Sequence, residues 1–187
     1  MKGAEVGLLS RSDLRPWLRQ IDSTAGDRFG VSFTVGSTGA EGALVVLDEI
    51  SKAVSISIPR DRRILVLTEP PEIKTYRPGF ANQFGVLVSA YPLPGFRGSW
   101  IECQPGLPWF LGLKFHPGKP IEVRLDFARL RALAPPAERQ SRVSVVCSTK
   151  TLVLRHRQRL ALIEHLTRAL PGRIDVFGRG FQEVDDK

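Results

Sequence analysis

This 187-residue chain has few cysteines and no long apolar runs. Its two cysteines, Cys103 and Cys147, lie far apart and form no CxxC pair, so a zinc site is not expected. Two reduced, buried thiols are expected instead. No apolar run approaches the roughly 20 residues of a membrane helix, and residues 6–9 are too short for a signal-peptide core. We therefore expect a soluble, cytoplasmic chain, and a peripheral membrane contact is left open.

Several catalytic and metal-binding motifs are also missing. The sequence contains no GxSxG, no HExxH and no DxD, and its three histidines have no metal-like spacing with carboxylates. The glycine-rich run 36–42 has the spacing GxxGxxG, which differs from both nucleotide-binding patterns. It is followed at once by an apolar strand, which leaves no room for a phosphate-binding helix. We predict a plain loop there and no metal site.

Basic residues are in excess and are unevenly distributed. Lysine and arginine number 27 against 19 acidic residues, which gives a formal net charge of +8. Residues 121–170 hold ten of the basic residues and only four acidic ones, so most of the excess lies there. This balance indicates an anionic partner, and nucleic acid, a nucleotide-sugar, phosphate and anionic lipid all satisfy it.

Short apolar runs alternate with helical segments, which predicts an α/β fold. Predicted strands cover residues 6–9, 31–35, 43–47, 64–67, 85–89, 143–147 and 174–177. Predicted helices cover residues 13–20, 121–133 and 154–170. The last helix and its two flanking strands have the size of one βαβ unit. A proline-rich segment before residue 143 predicts a linker, with one domain at 1–138 and the start of a second at 139–187.

The stretch 91–120 holds six prolines and two tryptophans, Trp100 and Trp109. We predict a long irregular segment that builds the wall of a binding site.

Glu69 stands at the end of an apolar strand and is followed by two prolines, which stop the strand. Ligands of open α/β sheets bind at that end of the strands, so Glu69 is a candidate general base. An ion pair of Glu69 with Lys74 or Arg77 is the alternative.

Three arginines crowd the start of the helix after Cys147: Arg155, Arg157 and Arg159. The helix dipole already places positive charge there, so arginines destabilise this end unless an anion is bound. The pattern is typical of a diphosphate site. A solvated basic face is the alternative, and Arg159, beside the apolar stripe, is less free than Arg155.

Three segments together resemble the family 10 glycosyltransferases, the α-1,3/1,4-fucosyltransferases, of bacterial type. The strongest match is the tail from Cys147-Ser-Thr-Lys through Ile174-Asp-Val-Phe-Gly-Arg-Gly180 to Asp186-Lys187. The stretch Ile64-Leu-Val-Leu-Thr-Glu-Pro-Pro71 resembles the acceptor-domain segment of the family, and Leu107-Pro-Trp109 resembles its "lpW" segment. The family usually has an asparagine where this chain has Thr149.

The resemblance implies a GT-B arrangement of two Rossmann-like domains and an inverting transfer that needs no metal or other cofactor. It implies GDP-fucose as donor and a glycan hydroxyl as acceptor. Glu69 then corresponds to the general base, and Arg157 or Arg159 to the arginine on the donor phosphates. Trp100 and Trp109 form the acceptor-side wall.

The nucleotide-gripping motifs that end the family's catalytic unit do not occur before Lys187. We therefore expect an N-terminal fragment that is inactive alone. Two alternatives stay open: a basic module that binds nucleic acid, which we do not expect, and a non-catalytic glycan binder. The sequence indicates no oligomeric state.

Overall fold

The computed structural model describes residues 4–18, 30–38, 42–104, 112–116, 118–134 and 142–181. The chain divides into two compact units between Leu133 and Ala134. The predicted boundary at 138 falls within residues 135–141, which lie outside the described residues. None of the helices in the described ranges is long and apolar enough to cross a bilayer.

The first unit is built on six strands. They are β1 (Ala4–Ser10), β2 (Val31–Val35), β3 (Ala43–Leu47), β4 (Arg63–Val66), β5 (Val86–Ser89) and β6 (Ser99–Glu102). Their order in the sheet is β2-β1-β3-β4-β5-β6, and every neighbouring pair is parallel. The predicted α/β fold is thereby confirmed, and the sheet is consistent with a Rossmann-like domain.

The core of the first unit lies on the central strands. Leu44, Val46, Leu65 and Leu87 are 0% exposed. Because parallel strands are covered on both faces, they appear in the sequence as continuous apolar runs. Among the described residues from β1 to β6, two short α-helices, α1 (Arg15–Leu18) and α2 (Pro78–Ala81), follow β1 and β4, and a 3-10 helix, Arg60–Arg62, precedes β4. Burial of each large side chain contributes roughly 1.5–3 kcal/mol relative to exposure.

The strand register brings the ends of β3, β4 and β5 together. Leu47 lies opposite Val66, and Val66 lies opposite Val88. Since the strands run parallel, their carboxyl ends form one edge of the sheet, which we call the first carboxyl edge. Asp48 follows β3 there, and the segment that leads to Glu69 follows β4. This edge positions the candidate site.

Two sequence predictions are wrong in part. Within the predicted irregular stretch 91–120, residues Ser99–Glu102 form β6, whose four residues are all exposed because it is an edge strand. Such a strand carries no apolar run to reveal it. The predicted helix 121–133 begins later, as α3 (Phe127–Ala132), capped by Asp126, which accepts the Arg129 backbone N–H at 2.8 Å. Before it, β7 (Leu113–Lys114) and β8 (Glu122–Val123) form an antiparallel pair.

The second unit is one βαβ unit, as the sequence predicts. It consists of β9 (Val143–Val146), α4 (Leu154–Ala169) and β10 (Ile174–Phe177), and the two strands are parallel. Ile163 is the buried residue of α4, with Leu160 and Leu166 half-buried on the same stripe. The carboxyl ends of β9 and β10 form the second carboxyl edge. The arrangement of the two units as a GT-B enzyme stays a prediction.

Candidate functional site

Glu69 lies just beyond β4 at the first carboxyl edge. The Leu67 N–H still donates to the Val88 carbonyl at 3.0 Å, so the ladder extends one residue past the strand. The chain then turns at Pro70, whose carbonyl accepts the backbone N–H groups of Ile73 and Lys74. Glu69 is half-buried at the start of this turn. The two prolines therefore end the strand where the sequence predicts.

Asp48 is a residue of this edge that the sequence analysis missed. Its backbone has φ 62°, a left-handed conformation that non-glycine residues seldom adopt. Its carboxylate accepts hydrogen bonds from the Thr68 N–H at 2.8 Å, the Tyr76 hydroxyl at 2.5 Å and the Thr68 hydroxyl. The signal was present, because Asp48 follows an apolar strand in the same way as Glu69.

Two tyrosines join this carboxylate to Glu69. The Tyr91 hydroxyl donates to the Glu69 carbonyl at 2.5 Å. Burial raises the pKa of Tyr91, and the negative charges of Asp48, Glu69 and Glu72 raise it further. Burial and the hydrogen bond to Asp48 also raise the pKa of Tyr76. Both phenols therefore stay protonated at neutral pH and act as hydrogen-bond donors.

The alternative ion pairs of Glu69 do not form among the described residues. Lys74 Nζ instead lies 3.3 Å from Glu49 Oε1 and 5.1 Å from the centre of the Tyr76 ring. Arg11 contacts the same Glu49 oxygen at 3.1 Å. Hydrogen bonds from Arg11 and Lys74 lower the pKa of Glu49. Lys74, which the sequence makes a candidate partner of Glu69, therefore pairs with Glu49 instead.

Trp100 lies beside this group of residues. Its indole N–H donates to Ser89 Oγ at 3.0 Å, and Ser89 is 1% exposed. The Ser89 hydroxyl donates to the Tyr91 carbonyl at 2.5 Å. Ser89 and Tyr91 therefore connect Trp100 with the backbone of Glu69, and Trp100 is 39% exposed. Trp109, the other predicted wall residue, lies outside the described residues.

A cleft of about 460 Å³ is lined by Pro71, two residues after Glu69, and by Tyr91, whose hydroxyl donates to the Glu69 carbonyl. Its walls are mostly proline and aromatic side chains, among them Pro71, Tyr76, Pro78, Tyr91, Leu93 and Pro94. This volume is within the usual range for small-molecule sites. Tyr76 and Tyr91 belong both to the cleft and to the hydrogen bonds around Asp48 and Glu69.

The arginines lie in the second unit, at the start of α4. Arg159 Nη2 donates to the Ser148 carbonyl at 3.1 Å, in the loop that follows β9. Its Nε is buried and has no hydrogen-bond partner among the described residues. An unpaired buried donor costs about 1–3 kcal/mol. Arg157 is exposed, as expected two residues away on a helix, so Arg159 is the arginine directed toward the second carboxyl edge.

Gly178 lets the loops after β9 and β10 run side by side. The Cys147 and Thr149 N–H groups donate to the carbonyls of Phe177 and Arg179, at 2.9 and 3.1 Å. Gly178 has φ 117°, and a Cβ there would lie 2.1 Å from the Cys147 carbonyl oxygen. A side chain at 178 would therefore separate the loops, which explains the glycine in this part of the sequence.

No protein-family model, curated protein or solved structure matches this chain. The family stays a resemblance of sequence motifs.

The two cysteines are less buried than the sequence predicts. Cys103 is exposed and Cys147 is half-buried, so the prediction of two buried thiols is wrong. Cys103 is exposed because it follows the edge strand β6.

Among the described residues, no three side chains of the types His, Cys, Asp and Glu are grouped as they would be around a metal ion. The prediction of a transfer without metal is untested by this finding.

Proposed function

We propose that this chain belongs to an inverting glycosyltransferase that moves fucose from GDP-fucose to a glycan hydroxyl. One observation carries the proposal: Glu69 lies at the carboxyl edge of a parallel sheet, beside a cleft, with its carbonyl held by Tyr91. Ligands of open α/β sheets bind at such edges. The nature of the donor sugar and nucleotide rests on the sequence resemblance alone.

Glu69 serves as the general base in this proposal. Its carboxylate takes the proton from the acceptor hydroxyl while the hydroxyl oxygen attacks the anomeric carbon and the bond to the diphosphate breaks. A single displacement from the opposite face inverts the configuration. Removal of a positioned general base lowers the rate by about 10²–10⁴-fold. The absence of an ion pair with Lys74 supports this role, because Lys74 binds Glu49 instead.

Arg159 is the cation for the donor phosphates in this proposal. The leaving diphosphate gains negative charge as the glycosidic bond breaks, and a fixed guanidinium stabilises that charge. The hydrogen bond of Arg159 to the Ser148 carbonyl supports the choice of Arg159 over Arg157, because it holds the side chain at the second carboxyl edge. Trp100 forms part of the acceptor-side wall.

The test is Glu69→Gln, with Glu72→Gln as the matched control from the same turn. Transfer from labelled GDP-fucose to an array of glycans is measured for the chain and for the longest open reading frame that contains it. We expect Glu69→Gln to lose transfer at least 100-fold and to leave GDP binding unchanged, since glutamine keeps the shape but cannot accept the proton. Retained transfer in Glu69→Gln would refute the base assignment.

A further inference from the structure

The cleft beside Glu69 offers few free polar groups. The hydroxyls of Tyr76 and Tyr91 already donate to Asp48 and to the Glu69 carbonyl, and Lys74 in its lining pairs with Glu49. Thr75 adds one side-chain hydroxyl to the lining. Proline residues contribute no backbone N–H. A bare sugar presents hydroxyls on all sides, and their burial without hydrogen bonds is unfavourable. The cleft is therefore suited to an apolar group.

The cleft is connected to the candidate base through the side chain of Tyr91. Tyr91 lines the cleft and donates to the Glu69 carbonyl, so the Tyr91 side chain separates a group bound in the cleft from the backbone of Glu69. A volume of about 460 Å³ accommodates a chain or ring system of drug-like size.

We propose that this cleft binds the apolar aglycone of the acceptor, so that the natural acceptor is a glycolipid or another glycoside whose aglycone is apolar. The inference rests on the proposed function, because the aglycone is placed by the sugar hydroxyl that Glu69 deprotonates. The sugar itself lies outside the cleft, toward Glu69 and the exposed indole of Trp100. Specificity for the aglycone is thus separate from the chemistry of transfer.

The test uses the full 187-residue chain with octyl β-lactoside, below its micelle concentration, and with lactose as the same sugar without the alkyl chain. Binding is measured by isothermal titration calorimetry. Each fully buried methylene strengthens binding about fourfold. We expect the octyl glycoside to bind at least tenfold more tightly than lactose, at one site per chain. Equal affinities, or no binding of the octyl glycoside, would overturn the proposal.

Two variants in the cleft test the location of the binding site, and a third variant, outside the cleft, serves as the control. Pro94→Asp places a charge in the cleft, and Thr75→Trp fills it; both residues are exposed, so neither change removes a core side chain. The control, Val54→Asp, places the same charge in a different cavity of the unit, of about 340 Å³. We expect both cleft variants to lose the preference for the octyl glycoside and the control to keep it. A preference that survives in both cleft variants contradicts the assignment.

The outcomes for the cleft and for the proposed function can be separated. If the chain binds the octyl glycoside through the cleft but Glu69→Gln does not change transfer, the base assignment fails and the apolar site stands. If Glu69→Gln abolishes transfer but lactose and octyl lactoside bind equally, the function stands and the aglycone site fails.

Discussion

At the first carboxyl edge, the carboxylate of Asp48 binds hydroxyl and backbone donors beside Glu69, whereas at the second carboxyl edge Arg159 lies against the carbonyl of Ser148. Both edges end parallel strands. The first combines acids with protonated phenols, and the second combines a guanidinium with closely spaced backbone loops. The two carboxyl edges are therefore both formed by parallel strands, but the first carries acidic side chains and the second carries an arginine.

The two edges also differ in how completely their polar groups are satisfied. At the first edge, Asp48 accepts three hydrogen bonds and Tyr91 completes a link to Glu69. At the second edge, the buried Nε of Arg159 and Nδ1 of His156 have no partner among the described residues. Functional sites often carry such unsatisfied groups. In the proposed function, the first edge is preorganised by its own side chains and the donor diphosphate binds at the second edge.

The largest effect is expected for Asp48→Ala. The substitution removes the acceptor of the Tyr76 hydroxyl and of the Thr68 N–H, and it places alanine at φ 62°. Unpaired buried donors cost about 1–3 kcal/mol each, so the free energy of unfolding of the first unit should fall by about 3 kcal/mol. Urea denaturation followed by Tyr and Trp fluorescence measures it.

Two variants make the Asp48 prediction specific. Asp48→Asn keeps an acceptor and tolerates the left-handed conformation, so it should lose less than half as much stability. Asp61→Ala removes an exposed acid from the same unit and should change stability by less than about 0.5 kcal/mol. If Asp48→Ala is as stable as Asp61→Ala, the first edge is not organised by Asp48.

The sequence predicted the first edge better than its surroundings. The strand runs and the position of Glu69 were visible because fully buried parallel strands are apolar throughout, and because two prolines end β4. β6 was missed, since an exposed edge strand such as Ser99–Glu102 has no apolar run. The partners of Asp48 were also invisible, because Thr68 and Tyr76 meet it only through the register of β3 and β4 and the turn after Pro70.

In the second unit, the βαβ pattern was predicted almost to the residue. A long helix with one apolar stripe between two apolar strands leaves few other arrangements. The choice between Arg157 and Arg159 could not be made from the sequence alone, because it depends on how the loop after β9 folds back to the helix. The hydrogen bond of Arg159 to Ser148 is the observation that favours Arg159 in the proposed function.

An intermediate effect is expected for Arg159→Ala in the second unit. Hydrogen bonds to charged groups contribute about 1.5–3 kcal/mol, so GDP affinity should fall roughly tenfold to a hundredfold. Arg157→Ala should have a smaller effect, because Arg157 is exposed. Titration with a fluorescent GDP analogue measures both, in the chain and in the longest reading frame that contains it.

The matched control for Arg159 is Arg168→Ala, at the other end of α4, where Arg168 contacts Glu164 at 3.3 Å. It removes the same charge from the same helix and should leave GDP affinity unchanged. An equal loss in all three variants would indicate a general charge effect, as in nonspecific binding of polyanions. Unchanged affinity in Arg157→Ala and Arg159→Ala would remove the phosphate role and, with it, the contrast between the two edges.

The smallest effect concerns Glu49, whose pairing with Lys74 leaves Glu69 without that cation. Arg11 and Lys74 lower the folded-state pKa of Glu49 below its ordinary value of 4.5. The stability from this pairing is therefore present above pH 4.5 and is lost as the pH falls through the lowered folded-state pKa. The Glu49 side chain is 38% exposed, so Glu49→Gln should lower the free energy of unfolding at pH 7 by less than about 1 kcal/mol.

Urea denaturation at pH 7 should resolve this difference in the free energy of unfolding, which should shrink in concentrated salt and disappear in acid. A matched Glu102→Gln on the exposed strand β6 should change the free energy of unfolding at pH 7 by less than about 0.5 kcal/mol. A Glu49 effect that persists in acid would contradict its assignment to charge pairing with Arg11 and Lys74.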